Sequence, residues 1–345
     1  MEIAEQLALW TPLIALIPSL IVLRVIRIID QVEREPLAPI LMALFFGTLS
    51  TIPVLALGGY FEEIAAPLIS AYGIDAYQSI IYAPISEELS KFILLALFVR
   101  IFSKQMHSFT DFLVYSCAIA IGFELIENIL YQWSSILENE EYQLLAWLEM
   151  TGMRTVGGAG MHLLFSVWNG VALWTFLRVR SSIRLISGVA CIIIAIGFHA
   201  INNGSVVFYD SNVIEEAPNQ FALLFNIVNA ANSNLALASF IVLIISAVVH
   251  DAKCLVEFRH AVLKKEIRPR DKAFAADIEA MTDPANHLLA NSLIAWRFFD
   301  NGHTLKKNAR IFSEFARIAL RYSRVISDTT RDYLIKDAVL LISND

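Results

Sequence analysis

Charge is what this chain has least of. Only 17% of its 345 residues are Asp, Glu, Lys or Arg, against 57% that are hydrophobic, and the mean hydropathy is +0.60. That balance excludes an ordinary soluble domain of this length. Cysteine is scarce as well. Cys117, Cys191 and Cys254 are odd in number, widely spaced and two of them sit inside apolar runs, so neither a disulfide framework nor a thiolate metal site is expected; they read as small core residues. No internal repeat and no low-complexity segment is visible. The first apolar run lacks a basic leader and is closely followed by a second, so it reads as a true span rather than a cleaved signal peptide.

What the chain has in abundance is uninterrupted apolar length. A bilayer-crossing helix needs about 20 mostly apolar residues, and seven runs meet that: 7–29, 37–60, 77–101, 110–133, 153–178, 184–208 and 221–249. The expected fold is therefore an all-α, polytopic membrane helix bundle over residues 1–250, followed by a cytosolic helical tail domain over 251–345. Lys and Arg cluster after spans 1, 3, 5 and 7, whereas the connections around 61–76, 134–152 and 209–220 and the first ten residues hold none. The positive-inside rule then places the N-terminus outside and the C-terminus inside. Only Lys91 and Arg154 fall elsewhere.

The tail is a different polymer. It carries a net charge of +3, and the membrane part −10. Apolar residues recur at helical spacing in 285–299 and 309–326, and Thr282-Asp283-Pro284 reads as a helix start, giving three or four helices. The excess of basic groups is small and interleaved with acids, which speaks against nucleic acid as a partner.

Against this apolar background the ionisable residues inside the spans stand out. Span 3 holds Glu87, Glu88 and Lys91, and helical spacing lets the lysine reach either carboxylate. Span 4 places Glu124, Glu127 and Asn128 on one face, span 5 holds His162, and span 6 holds His199 with Asn202 and Asn203 one turn on. Counted from the outer end of each span, Glu87, Glu124, His162 and His199 all lie about nine or ten residues deep, or roughly 14 Å at 1.5 Å per residue. An ionised side chain at mid-span costs about 2.5–3.5 kcal/mol on insertion scales, so the five in spans 3 and 4 (Glu87, Glu88, Lys91, Glu124 and Glu127) need a purpose. Singly, each has a plainer reading: an ion pair between helices, a satisfied interior histidine, amides that glue helices together. Gly157, Gly158 and Gly160 allow close helix approach or loosen span 5 beside His162. It is the convergence of four spans on one level that points to a functional site.

Carboxylates, two imidazoles and amides supply what amide hydrolysis requires: a base for water, a donor to the oxyanion and an acid for the leaving amine. The HExxH of zincins, the Gly-x-Gly-Asp of intramembrane aspartyl proteases and a Gly-x-Ser-x-Gly-like nucleophile are all absent. Glu87, held by Lys91, is the candidate base, and Glu88 the next candidate or an orienting partner. His162 and His199 would polarise the carbonyl or pass the proton, Asn203 would donate to the oxyanion, and Glu124 and Glu127 would orient the histidines or complete a metal site. Two His and a Glu can make an open zinc site; the candidate ligands are His162, His199, Glu124 and Glu127, and the cofactor expectation is zinc or none. Two other classes share these features: a proton- or cation-coupled transporter, and a non-enzymatic binding or immunity protein.

In order and spacing, EELSK (Glu87, Glu88, Lys91), FELIEN (Glu124, Glu127, Asn128), a histidine with a glycine eight positions on (His162, Gly170) and HAINN (His199, Asn203) resemble the four motifs of the PrsW family of intramembrane proteases, over roughly residues 35–210. That family is related to the type II CAAX prenyl endopeptidases and the bacteriocin-immunity proteins, whose first motif is usually Glu-Glu-x-x-x-Arg. The resemblance implies a peptidase of a prokaryotic inner membrane that cleaves a single-span protein, such as an anti-sigma factor, on its outer side. The tail and span 7 depart from the family's pattern.

Overall fold

In lipid a backbone amide has no water to bond, so an apolar run must satisfy its polar groups internally. The protein, described here from a computed structural model, does so with helices alone: no strand occurs among the described residues, which are 3–30, 33, 35–139, 141–210, 219–266, 303–324 and 328–343. The helices are α1 (Ile3–Ile29), α2 (Leu37–Leu49), α3 (Thr51–Ile64), α4 (Ala66–Tyr72), α5 (Ile74–Ala76), α6 (Ala83–Ile101), α7 (Phe109–Glu138), α8 (Gln143–Met150), α9 (Met161–Arg178), α10 (Arg184–Asp210), α11 (Asn219–Glu266), α12 (His303–Arg324) and α13 (Asp328–Ser343).

Six stretches among the described residues are long and apolar enough to cross a membrane: Ile3–Ile28, Leu37–Ile64, Phe109–Glu138, Gln143–Arg178, Arg184–Gly204 and Ile227–Val262. The expected run at 77–101 is helical too, as a π-helical turn, Tyr77–Tyr82, leading into α6. Its Glu87, Glu88, Lys91 and Arg100 make it too charged to qualify by composition alone. The protein is a multi-pass helical membrane protein.

The chain divides into two compact units. The first comprises residues 1–24, 37–103 and 112–242. Its central element is α7, whose residues from Phe112 to Phe123 are buried throughout. A pair of glycines lets α2 and α7 meet backbone to backbone: a Cβ on Gly47 would stand 2.0 Å from the Ile119 carbonyl oxygen, and one on Gly122 would stand 1.9 Å from that of Leu44. Small residues at such crossings replace the hydrophobic driving force that lipid removes. Cys117 and Cys254 are buried and Cys191 half-buried.

Span 5 is not the continuous helix that its length suggests. Residues Thr151–Gly157 form a π-helical turn, the chain breaks, and α9 begins after Gly160, whose φ of 83° lies in the left-handed region that favours glycine. The glycines beside His162 thus open the helix at the level of the ionisable residues. π-turns also occur often at functional sites, and the one preceding α6 leads directly to Glu87.

The second unit comprises residues 25–36, 104–111 and 243–345. The C-terminal half of α11 packs with α12 and α13 around Leu255, Phe258, Val262, Phe315, Ala319, Leu334, Ile335 and Ala338. α11 therefore runs past the apolar limit at residue 249, because Leu255, Phe258 and Val262 continue the helical period while Lys253, Glu257 and Arg259 face away from the core. The expected helix at 309–326 falls in α12 as far as Arg324; its last two residues, the helix expected at 285–299 and the start at 282–284 lie outside the described residues. At the N-terminus of α7, both oxygens of Asp251 accept backbone N–H groups, from Phe109 and Thr110 at 3.1 Å each. Burial, and then the negative charges of Asp111 and Glu33, push the nearby Asp30 carboxyl well above the ordinary carboxylate range.

Candidate active site

The first unit brings the span residues to one place. From α6, Lys91 reaches back one turn to Glu88 Oε1 at 2.7 Å, with Glu87 Oε2 at 3.7 Å. Lys91 is 1% exposed and Glu88 is wholly buried. Its ammonium also donates to His162 Nδ1 at 3.1 Å and sits 4.3 Å from the centre of the Phe123 ring. An ammonium only donates, so His162 Nδ1 carries the lone pair.

Glu88 is saturated. Besides Lys91 it accepts Ser166 Oγ at 2.7 Å and Asn169 Nδ2 at 2.9 Å, both from α9, and it meets His199 Nδ1 from α10 at 3.1 Å. A carboxylate only accepts, so His199 Nδ1 carries the hydrogen and Nε2 the lone pair. Stacking of Phe165 on the His199 ring, with centroids 5.4 Å apart and 23° between planes, holds that imidazole flat.

Glu124 and Glu127 take different parts. The break before α9 leaves orphan backbone N–H groups at the helix start, and Glu124 satisfies two of them: Gly160 N donates to Oε1 at 2.7 Å and His162 N to Oε2 at 3.2 Å. Its negative charge also suits the positive end of the helix. Glu127 Oε2 stands 2.7 Å from His162 Nε2 and 2.7 Å from an Arg154 guanidinium nitrogen. Arg154 lies on the π-turn, covers the Tyr131 ring at 3.7 Å and donates to Asn128 Oδ1 at 3.4 Å.

Glu87 is left with an oxygen to spare. Among the described residues its Oε2 has no hydrogen-bond partner, yet it lies 3.7 Å from His199 Nε2 and 3.9 Å from His162 Nδ1. Donor atoms of Glu87, His162 and His199 thus lie within 4.8 Å of one another; the lone pairs of Glu87 Oε2 and His199 Nε2 are open, and that of His162 Nδ1 accepts Lys91. Glu87 and Glu127 also line a cavity of about 250 Å³ with Thr51, Phe123, Tyr131 and Ser134.

The arrangement thus gathers Glu87, Glu88, Lys91, Glu127, His162 and His199, with Glu124 positioning the backbone that carries His162. Asn128 contacts Arg154 rather than the imidazoles. Asn203 Oδ1 accepts from Asn202 at 3.4 Å. Sequence reasoning missed Ser166, Asn169 and Arg154. The first two were legible: they follow His162 by four and seven positions, on its own helical face. Arg154 carried a signal too, since with Lys91 it is one of only two basic residues away from the basic connections.

Neither a curated protein nor a solved structure matches the chain. A bundle whose helices enclose two carboxylate-backed histidines beside a free glutamate is an arrangement suited to hydrolysis within the membrane. Residues 35–248 match the model of the PrsW family of intramembrane metalloproteases, and the chain belongs to that family.

Proposed function

We propose that this intramembrane protease hydrolyses a peptide bond in a single-span membrane protein, on the outer side of a prokaryotic inner membrane. A membrane-anchored anti-sigma factor is the kind of substrate envisaged. Seven spans with the N-terminus outside, the core in residues 1–250 and a cytosolic domain in 251–345 complete the reading, which the alternation of basic connections supports. The observation that carries it is the open Glu87 oxygen between two imidazoles, facing the lone pair of His199, at the edge of a cavity.

Glu87 accepts the proton of the attacking water, and Lys91 holds its carboxylate in place. His199, oriented by Glu88, takes that proton from Glu87 on its Nε2 lone pair and passes it to the leaving amine, while His162, held by Lys91 and Glu127, fixes the other side of the site. Asn203, one turn from His199, offers its amide to the oxyanion. The same donors fit zinc once the Lys91 ammonium leaves His162 Nδ1: in a tetrahedral site with bonds of about 2.0–2.1 Å, ligand atoms stand roughly 3.3 Å apart, close to the separations at Glu87. Each imidazole also has a carboxylate on its other nitrogen, the usual second partner of a metal-ligating histidine. Glu87, His162 and His199 would hold the ion, which supplies Lewis acidity and lowers the pKa of a bound water.

An apolar groove of about 510 Å³ between α3 and α6 shares Val54 with the reactive cavity and is lined by Leu57, Phe61, Ile81, Ile85, Leu89 and Ile93. Its apolar lining and its place beside the cavity suit it to the membrane segment of the substrate.

The test is cleavage of a reporter membrane protein by purified enzyme, with metal content measured on the same samples. Glu87→Gln lowers the rate by about 10²–10⁴-fold. Zinc retained in that variant marks Glu87 as the base, and zinc lost marks it as a ligand. Full activity in Glu87→Gln or His199→Ala would remove the assignment.

A further inference from the structure

The second unit contains another set of buried ionisable groups, which the chemistry above does not use. Asp30, Glu33 and Glu35 come from the connection between α1 and α2, and His107 and Asp111 from the start of α7. Donor atoms of Glu33, His107 and Asp111 lie within 4.8 Å of one another, as do those of Asp30, Glu35 and Asp111, so Asp111 joins the two groups. Asp30, Glu33 and Glu35 are each 1% exposed, and Asp111 is wholly buried.

Local bonding accounts for only part of this. Asp111 caps α7, accepting His107 N at 2.5 Å and Ser108 N at 2.8 Å. Asp30 Oδ2 accepts Glu35 N at 2.9 Å, and Glu33 Oε1 takes Arg317 Nε at 2.5 Å and faces His107 Nδ1 at 3.4 Å. Among the described residues, that leaves Asp30 Oδ1 and Glu33 Oε2 buried with no hydrogen-bond partner. Acidic groups gathered without donors repel one another, and burial removes the water that would screen them. A cation at Asp111, where the two groups meet, resolves both problems at once.

We propose that Asp30, Glu33, Glu35, His107 and Asp111 bind a divalent cation, at a site separate from the reactive centre. Four carboxylates and one imidazole make a mainly hard-oxygen donor set. That chemistry suits Mn²⁺ first, then Mg²⁺ or Ca²⁺, over the nitrogen- and sulfur-rich sites of zinc. Bound there, the ion ties the 30–35 connection to the start of α7 and stabilises the second unit.

The experiment titrates purified full-length protein in detergent with Mn²⁺ alone, followed by electron paramagnetic resonance and by thermal unfolding. It is run in the Glu87→Gln protein, so that the reactive centre contributes least. Saturable binding with a rise in Tm is expected, together with nitrogen coupling from one imidazole that His107→Gln removes. Asp30→Asn with Glu33→Gln weakens this Mn²⁺ binding at least tenfold. Because it removes the repulsion, the same double variant keeps or raises the Tm of cation-free protein, so lost binding cannot be mistaken for misfolding. Should the double variant unfold, the histidine coupling and the Tm rise in its parent decide the matter. Unchanged Mn²⁺ affinity in the double variant, or no Tm rise in the parent, overturns the proposal.

Discussion

At the scale of the residue, the difference between Glu87 and Glu88 is the most informative one in the protein. They are neighbours in sequence and share Lys91, yet one carboxylate is fully engaged by Ser166, Asn169, His199 and Lys91 while the other keeps an oxygen open. A saturated acceptor is held still and serves to orient; an open one beside a cavity is available to react. Such ion pairs are poor stabilisers once desolvation is counted, so their value here lies in fixing tautomers and geometry. Arg154 tests that logic from outside the motifs. Arg154→Gln strips Glu127 of its cation and loosens the orientation of His162, so activity should drop about 10–100-fold, with Arg154→Lys recovering part of it in the same reporter assay.

At the scale of the element, the helices are shaped by their interruptions as much as by their apolar runs. The break before α9 exposes amides to Glu124, and this fixes where His162 stands. The crossing of α2 and α7 depends on having no side chain at Gly47 and Gly122. Gly122→Ala would force backbones apart, and overpacking of this kind costs about 1–3 kcal/mol, to be read as a lower Tm in detergent. In the groove between α3 and α6, Leu89→Trp should fill the space proposed for the substrate's membrane segment. Cleavage of a membrane-embedded reporter is then expected to fall at least tenfold while the bound metal content stays unchanged; equal cleavage would argue against that route.

At the scale of the whole molecule, the fold class was legible because lipid leaves few choices. Long apolar runs free of charge must become helices, and 37–60, 110–133 and 184–208 did so close to their expected limits. The proposed topology follows from the basic connections alone and is open to a direct check. In a background without the native cysteines, Glu141→Cys should react with a membrane-impermeant thiol reagent added to intact cells, and Ser182→Cys only after the membrane is opened. The reverse pattern would invert the orientation and with it the proposed side of cleavage.

By itself, the sequence determined that the protein is a helical membrane bundle, that it belongs with one protease family, and which carboxylates and imidazoles of the spans to look for together. Hydropathy and helical period are local properties, and a chain carries them openly. Which carboxylate is bound and which is free, how Arg154 enters the site and where the fifth span breaks were decided only by the tertiary structure. Those depend on side chains far apart in sequence competing for the same donors, and distance along the chain holds no record of that competition. The acidic cluster around Asp111 is the clearest case: its members fall in two separate stretches, the connection between α1 and α2 and the start of α7, and meet only when the second unit folds.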